Sequence, residues 1–175
     1  MMTPLTDKLN AGRLLVDDGC IVKSYFQNID IECWHHAGRV RSVGPSICLF
    51  KSVPESCGPL LRAIDELEAA GPPAQRKLTF KSCGRENECS ILRLILSNES
   101  AEFYQIRISV EGEAATIEVT PDGLQQLRES IELWRDGAED FGLSPTRQRD
   151  SQGDFGKQNT ASVELWFWGP YYTGP

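Results

Sequence analysis

The residues best suited to chemistry lie together in the stretch ECWHH, residues 32–36. It contains the two histidines of the chain, His35 and His36, next to Cys33. Imidazole and thiolate groups bind zinc, and a histidine near a cysteine can activate that cysteine as a nucleophile. Successive side chains of a strand point to opposite faces, however, whereas a zinc site needs three or four converging ligands. The stretch is therefore at most a partial metal site of Cys33, His35 and His36, or part of an unrecognised cysteine or carboxylate enzyme.

The common sequence motifs of enzymes are missing from the chain. It has no G-x-G-x-x-G or G-x-x-x-x-G-K-[ST] phosphate loop and no G-x-S-x-G nucleophile turn. Because the chain has two histidines, the general base of most catalytic schemes would have to be a carboxylate. No paired carboxylate motif stands out. We therefore predict a non-enzymatic protein that needs no cofactor.

The six cysteines predict free thiols. Their spacings are irregular, no C-x-x-C pair occurs, and most of them lie in apolar stretches where a thiol packs as a small hydrophobe. The sequence begins without a secretory signal pattern and has no run of about 18 apolar residues. These features predict a cytoplasmic protein that does not enter a membrane. One disulfide stays open as an alternative, because Cys83 and Cys89 stand at the two ends of a polar turn.

Negative charge is concentrated in one segment. Residues 98–140 hold eleven acidic and three basic residues, although the whole chain has a net charge of −7. Nucleic-acid binding requires clustered Lys and Arg, so the charge pattern argues against it. Complementary charge would speed the encounter with a basic protein partner. Plain solubility is the alternative explanation of the same charge.

Hydrophobic periodicity predicts strands, a helix, more strands, a second helix, a loop and a final strand. The predicted strands cover residues 20–26, 29–36, 38–43, 46–52, 76–83, 90–97, 102–112, 114–120 and 162–168. Apolar and polar residues alternate in the clearest of them, as in an antiparallel sheet with one wet face. We therefore predict an α+β fold: a mostly antiparallel β-sheet with two amphipathic helices packed on one face. Residues 1–175 form a single domain, with a mobile polar loop at about 144–160.

The two predicted helices, over residues 54–73 and 120–137, each carry one apolar stripe. The stripe residues are Leu60, Leu61, Ile64 and Leu67 in the first helix and Leu124, Leu127, Ile131 and Trp134 in the second. Thr120 or Asp122 can cap the start of the second helix. Such stripes predict that both helices bury one side against the sheet.

The other side of the second predicted helix is acidic. Glu129, Glu132 and Asp136 fall within about 60° of one another around the helix axis. Arg128 and Arg135 can each reach Glu132 at helical spacing and reduce the repulsion among the acids. This side is either a solvated helix face or an acidic ridge that docks into a basic groove.

The final predicted strand is aromatic and has two distinct sides. Alternation places Val163, Leu165 and Phe167 on the core side and Trp166 and Trp168 on the other. Tryptophan is over-represented at binding hot spots because it buries a large area and keeps a polar group. The tryptophan side is therefore a candidate contact surface.

Two further aromatic residues, Tyr171 and Tyr172, follow this strand in the tail GPYYTGP. They can fold back over the two tryptophans and form a satellite core. They can equally leave the tryptophans open and add to a contact surface. The sequence leaves both arrangements open.

The segment at residues 103–168 begins with a strand and continues with TIEVTPDGLQQLRESIELW, a second strand followed by a helix. A polar stretch and the terminal strand SVELWFW complete it. This order resembles small bacterial immunity proteins of polymorphic-toxin systems, which are often short, acidic and free of catalytic motifs. The resemblance implies a cytosolic protein that binds one cognate toxin and blocks its active site or substrate path.

We therefore predict a protein-binding module whose partner is a basic toxin domain. Its candidate contact residues are Glu129, Glu132, Asp136, Trp166, Trp168, Tyr171 and Tyr172. One alternative is a structural protein that self-associates as a homodimer through the aromatic final strand. The other is the enzyme built around ECWHH.

Overall fold

The structure, a computed structural model, describes five stretches of the chain. They are residues 14–17, 20–36, 46–98, 105–143 and 163–169, with side chains described from residue 29 onward. The predicted strand at 38–43, the predicted loop at 144–160 and the tyrosines Tyr171 and Tyr172 lie outside the described residues.

Within these stretches the chain forms nine strands and two α-helices. The strands are β1 (Leu14–Asp17), β2 (Cys20–His36), β3 (Ser46–Lys51), β4 (Ala74–Lys81), β5 (Ile91–Leu96), β6 (Ile106–Glu111), β7 (Ala114–Val119), β8 (Phe141–Leu143) and β9 (Glu164–Trp168). The helices are α1 (Gly58–Ala70), which follows a 3-10 turn at Pro54–Cys57, and α2 (Pro121–Arg135). The predicted α+β class is confirmed.

The sheet is mixed rather than purely antiparallel, although most of its described pairings are antiparallel. Its strand order is β6-β7-β5-β4-β2-β3-β9-β8, with β1 paired to β2. Among the described strands, β2 with β4, β3 with β9, and β5 with β7 run parallel, and the other five pairings are antiparallel. Alternation of apolar and polar residues shows which side of a strand is buried, but it does not show the direction of the neighbouring strand.

The sheet curls so that its edge strand β6 reaches the start of β9. The amide of Val163, one residue before β9, donates a hydrogen bond to the carbonyl of Ile108 in β6 at 2.9 Å. Because β9 lies near the opposite end of the strand order, this bond requires strong curvature. The curvature encloses the helices on one face of the sheet.

Strand β2 is one continuous strand of 17 residues, so the predicted break at Gln27-Asn28 is wrong. Its register with β4 shifts between Ser24 and Asn28, and again between Ile29 and Glu32. Such irregularities bend a strand and add local twist without ending it. The polar residues that indicated a turn therefore lie at a bend within the strand.

Both helices bury the predicted stripes against the same face of the sheet. The stripe residues Leu60, Leu61, Ile64, Leu67, Leu124, Leu127, Ile131 and Trp134 are all buried. They share one core with the inward side chains of the sheet, including Leu78, Leu94 and Ile117. The start of α2 is capped by Thr120, whose hydroxyl oxygen accepts a hydrogen bond from the amide of Gly123 at 3.3 Å. The helix ends at Arg135, close to the predicted end.

Candidate functional site

Helix α2 is anchored to the final strand by one buried tryptophan. Trp134 is 0 % exposed, and its ring centroid lies 5.3 Å from that of Phe167 in β9. Its indole N–H donates a hydrogen bond to the carbonyl of Trp168 at 2.9 Å. Because this contact fixes the rotation of the helix, it determines which α2 side chains face outward.

The outward side of α2 combines acidic residues with one large apolar residue. Glu129 and Asp136 are exposed and Glu132 is half-buried. Leu133 is 59 % exposed and stands four residues after Glu129 and three before Asp136, so it neighbours both on the helix surface. We name Glu129, Glu132, Leu133 and Asp136 the α2 ridge. The sequence prediction missed Leu133, although its position outside the apolar stripe could have revealed it.

The two arginines of α2 do not form the predicted ion pairs with Glu132. Arg128 reaches across to α1 and donates hydrogen bonds to Asp65 at 2.5 Å and Glu68 at 2.7 Å. These bonds connect the two helices on the side away from the sheet.

Arg135 instead turns to its neighbour Asp136, which it contacts at 2.9 Å. Its hydrogen bond holds the pKa of the Asp136 carboxyl below the usual range, so that this carboxylate is ionised at neutral pH. In the part of the chain that the structure describes, Glu129 and Glu132 have no cationic partner within salt-bridge distance. Glu129 and Glu132 are therefore acidic residues of the ridge without a direct ion pair among the described side chains.

The predicted contact surface is divided between two sides of the molecule. Leu165 and Phe167 point into the core beside α2, so Trp166 and Trp168 lie on the opposite face of the sheet. The acidic residues of the α2 ridge face away from the sheet on the helix side.

The two tryptophans pack on each other and on their own strand neighbours. Their ring centroids lie 5.8 Å apart with an interplanar angle of 26°. Trp166 donates its indole N–H to Glu164 at 3.2 Å. Burial raises the pKa of the nearby Cys48 thiol, and an interaction with the Trp168 side chain lowers it by a smaller amount. The Trp166 indole N–H thus has a partner within the chain, and the two rings pack on each other as in a satellite cluster.

The residues of ECWHH are separated by the fold. Cys33 is fully buried, and burial and its hydrogen bond with Cys89 raise its pKa well above the ordinary value. A thiol with so little thiolate is a poor nucleophile or metal ligand. His35 and His36 instead line an open cavity at the end of β2. Among the residues whose side chains are described, no three His, Cys, Asp or Glu converge on a point where a metal could bind.

Cys83 and Cys89 are free thiols, as predicted, and the disulfide that stayed open as an alternative is not formed. The amide of Cys89 donates to the carbonyl of Cys33 at 2.9 Å, and the bridge between Trp34 and Glu88 places Cys33 and Cys89 opposite each other. A hydrogen bond from Cys33 lowers the pKa of Cys89. The polar turn therefore folds along β2, and both of its ends lie near the carbonyl of Cys33.

Thiol labelling tests this arrangement. In a Cys20→Ser background, we expect iodoacetamide to modify native protein at Cys83, which is half-exposed. The other four thiols, Cys33, Cys48, Cys57 and Cys89, are buried and should react in denaturant alone. Burial, the largest cause, raises the pKa of Cys57 to about 11, which further slows its alkylation at neutral pH. Mass spectrometry would count the labels. An unlabelled Cys83 together with a chain mass lower by two hydrogens would indicate a disulfide and contradict the free thiols.

Comparison with protein-family models, with curated proteins and with solved structures found no match. In the described stretches, neither helix has the length and apolar character that crossing a membrane requires.

Proposed function

We propose that this chain is a non-enzymatic protein-binding module of the immunity type, and that the α2 ridge docks onto a basic surface of a cognate bacterial toxin. The observation that carries the proposal is Leu133, a large apolar side chain that is 59 % exposed between acidic neighbours. A leucine on a helix side that is otherwise charged contributes little to folding. At an interface the same side chain would lose its contact with water and add to the binding free energy.

The charge of the helical layer supports a basic partner. The helices α1 and α2 with Asp136 contain seven acidic and three basic residues. Arg128 forms its ion pairs with Asp65 and Glu68 and not with a ridge residue. A partner with clustered Lys or Arg would pair with Glu129 and Glu132 around the apolar contact, an arrangement with an apolar centre and a charged rim.

The rigid mounting of α2 supports the same proposal. The helix is held at its start by the Thr120 cap and at its end by the Trp134 hydrogen bond to the carbonyl of Trp168. A helix face that is ordered before binding loses less conformational entropy when a partner docks. The blocking of a toxin active site requires such a fixed surface, whereas a catalytic role would require converging reactive groups.

The test uses the product of a toxin gene adjacent to the gene of this chain. We expect Leu133→Ala to weaken a stoichiometric complex about tenfold, because truncating a central apolar contact costs more than about 1 kcal/mol. Val53→Ala is the matched control, since Val53 is also large, apolar and 45 % exposed but lies outside α2. Calorimetry would give both dissociation constants.

The charge contribution is measured separately with Glu129→Gln. We expect a slower association rate at low ionic strength and little difference at high ionic strength, because salt screens exposed charges. An adjacent toxin that binds wild type, Leu133→Ala and Glu129→Gln equally well would refute the ridge as the contact surface. A gene without a toxin neighbour and a chain without a co-purifying partner would refute the immunity function itself.

A further inference from the structure

A cavity of about 380 Å³ opens where β2 ends and the turn at residues 82–90 folds along it. Its lining residues are Trp34, His35, His36, Arg85, Glu86 and Asn87. The backbone fixes the two walls relative to each other, because the amide of His35 donates to the carbonyl of Asn87 at 2.9 Å. The volume lies within the range of small-molecule sites, which is about 300–1,000 Å³. The α2 ridge contributes none of these residues.

Arg85 lies against a tryptophan in this cavity. Its guanidinium carbon lies 4.3 Å from the ring centroid of Trp34, a cation–π contact, and Trp34 itself is buried. A guanidinium that contacts an aromatic ring keeps N–H groups with which it can bind a ligand. Among the residues with described side chains, none forms a salt bridge with Arg85.

Two further side chains can donate to the same space. His35 is half-buried, and burial, together with the nearby His36, lowers its pKa, so that it is neutral at pH 7 and carries one ring N–H. Asn87 has a left-handed backbone with φ of 62°, a conformation that asparagine tolerates better than most residues. Its amide group adds two donors to the rim.

We propose that this cavity is a binding site for a small organic oxyanion, a ligand bearing a phosphate or a carboxylate group. The in-plane N–H groups of Arg85 match two oxygens of such a group in bidentate fashion. The donors of His35 and Asn87 satisfy its remaining oxygens. Glu86 on the rim supplies an acceptor, which suits a ligand that also carries a hydroxyl or amine.

The lining chemistry disfavours the other common ligand classes. A nucleobase would need an open aromatic face, and Arg85 already covers that of Trp34. A metal ion would need three or more converging ligands, and the described side chains around the cavity do not provide such a group. An oxyanion uses the donors that the cavity has.

Titration with inorganic phosphate and, separately, with acetate tests the site, at constant ionic strength set by sodium chloride. In NMR spectra of the full chain, we expect saturable shifts of the Arg85 side-chain N–H and the Trp34 indole N–H. Arg85→Gln should weaken binding about tenfold or more, since a charge-assisted bidentate contact is lost. Arg62→Gln is the control, because Arg62 is an exposed arginine of α1 that does not line the cavity.

Each outcome of these titrations either identifies the class of ligand or overturns the proposal. Saturation by phosphate alone identifies a phosphate site, by acetate alone a carboxylate site, and by both a general oxyanion site. If Arg85→Gln unfolds, His35→Gln provides the test and should weaken binding several-fold. The absence of saturable shifts with either anion, or equal losses in Arg85→Gln and Arg62→Gln, would overturn the proposal.

Discussion

Trp134→Ala is expected to lower the free energy of unfolding by about 3–5 kcal/mol, the usual cost of truncating a large buried aromatic residue. Trp134 is 0 % exposed and packs against Phe167 at 5.3 Å between ring centroids. Its indole N–H bonds the carbonyl of Trp168, and the ammonium of Lys51 lies 5.2 Å from the ring centroid. The substitution would leave a cavity, a carbonyl that has lost this donor and a buried lysine without its aromatic contact.

Urea denaturation of three variants separates these contributions. Trp134→Phe keeps most of the apolar contact but loses the N–H donor, so we expect an intermediate loss of about 1–3 kcal/mol. Leu133→Ala changes the adjacent residue on the exposed side, and its effect should stay within about 0.5 kcal/mol. A loss below about 1 kcal/mol in Trp134→Ala would mean that α2 does not rest on β9 as described.

The core was largely predictable from local patterns, and Trp134 and Phe167 show why. Each belongs to a periodic set of apolar residues, and periodicity depends only on helix or strand geometry. The direction of strand pairing depends on contacts between distant segments. The parallel register of Ile47 with Leu165 and of Leu49 with Phe167 joins residues more than a hundred positions apart, so no local pattern reports it.

The surfaces were harder to predict than the core. The sequence prediction listed Glu129 and Trp166 together as candidate contact residues, because it had no information on how α2 and β9 are oriented to each other. The stacking of Arg85 on Trp34 likewise depends on the turn that folds along β2. The stretch ECWHH was selected because its residue types can bind a metal. In the fold its histidines lie beside Arg85, a cation from another segment.

Gly123→Ala is the second substitution with a large expected effect, because Gly123 lies where α2 meets the start of β6. A Cβ atom at this position would lie 2.7 Å from the carbonyl carbon of Gln105, closer still to its oxygen, and 3.0 Å from a side-chain carbon of Ile106. Real Cβ contacts of this kind are essentially never below 3.0 Å. The obstacle is backbone, so a change of side-chain rotamer cannot relieve it.

The carbonyl of Gln105 has little freedom to move away. It accepts a hydrogen bond from the amide of Thr120 at 2.9 Å, and Gln105 itself has a left-handed φ of 56°. Alanine normally stabilises a helix by about 1 kcal/mol relative to glycine. Here we expect the opposite sign, a destabilisation of about 3 kcal/mol, because overpacking forces α2 and β6 apart.

Gly58→Ala is the matched control for this expectation. Gly58 is also a helix-start glycine, and its added Cβ would meet a single atom, the Arg62 guanidinium nitrogen, at 3.4 Å. Its backbone is already right-handed helical, so alanine there should be neutral or stabilising by up to about 1 kcal/mol. Urea denaturation of both variants measures the difference. If Gly123→Ala proved as stable as Gly58→Ala, the start of α2 could not lie against Gln105, and the orientation of the α2 ridge would have to be revised with it.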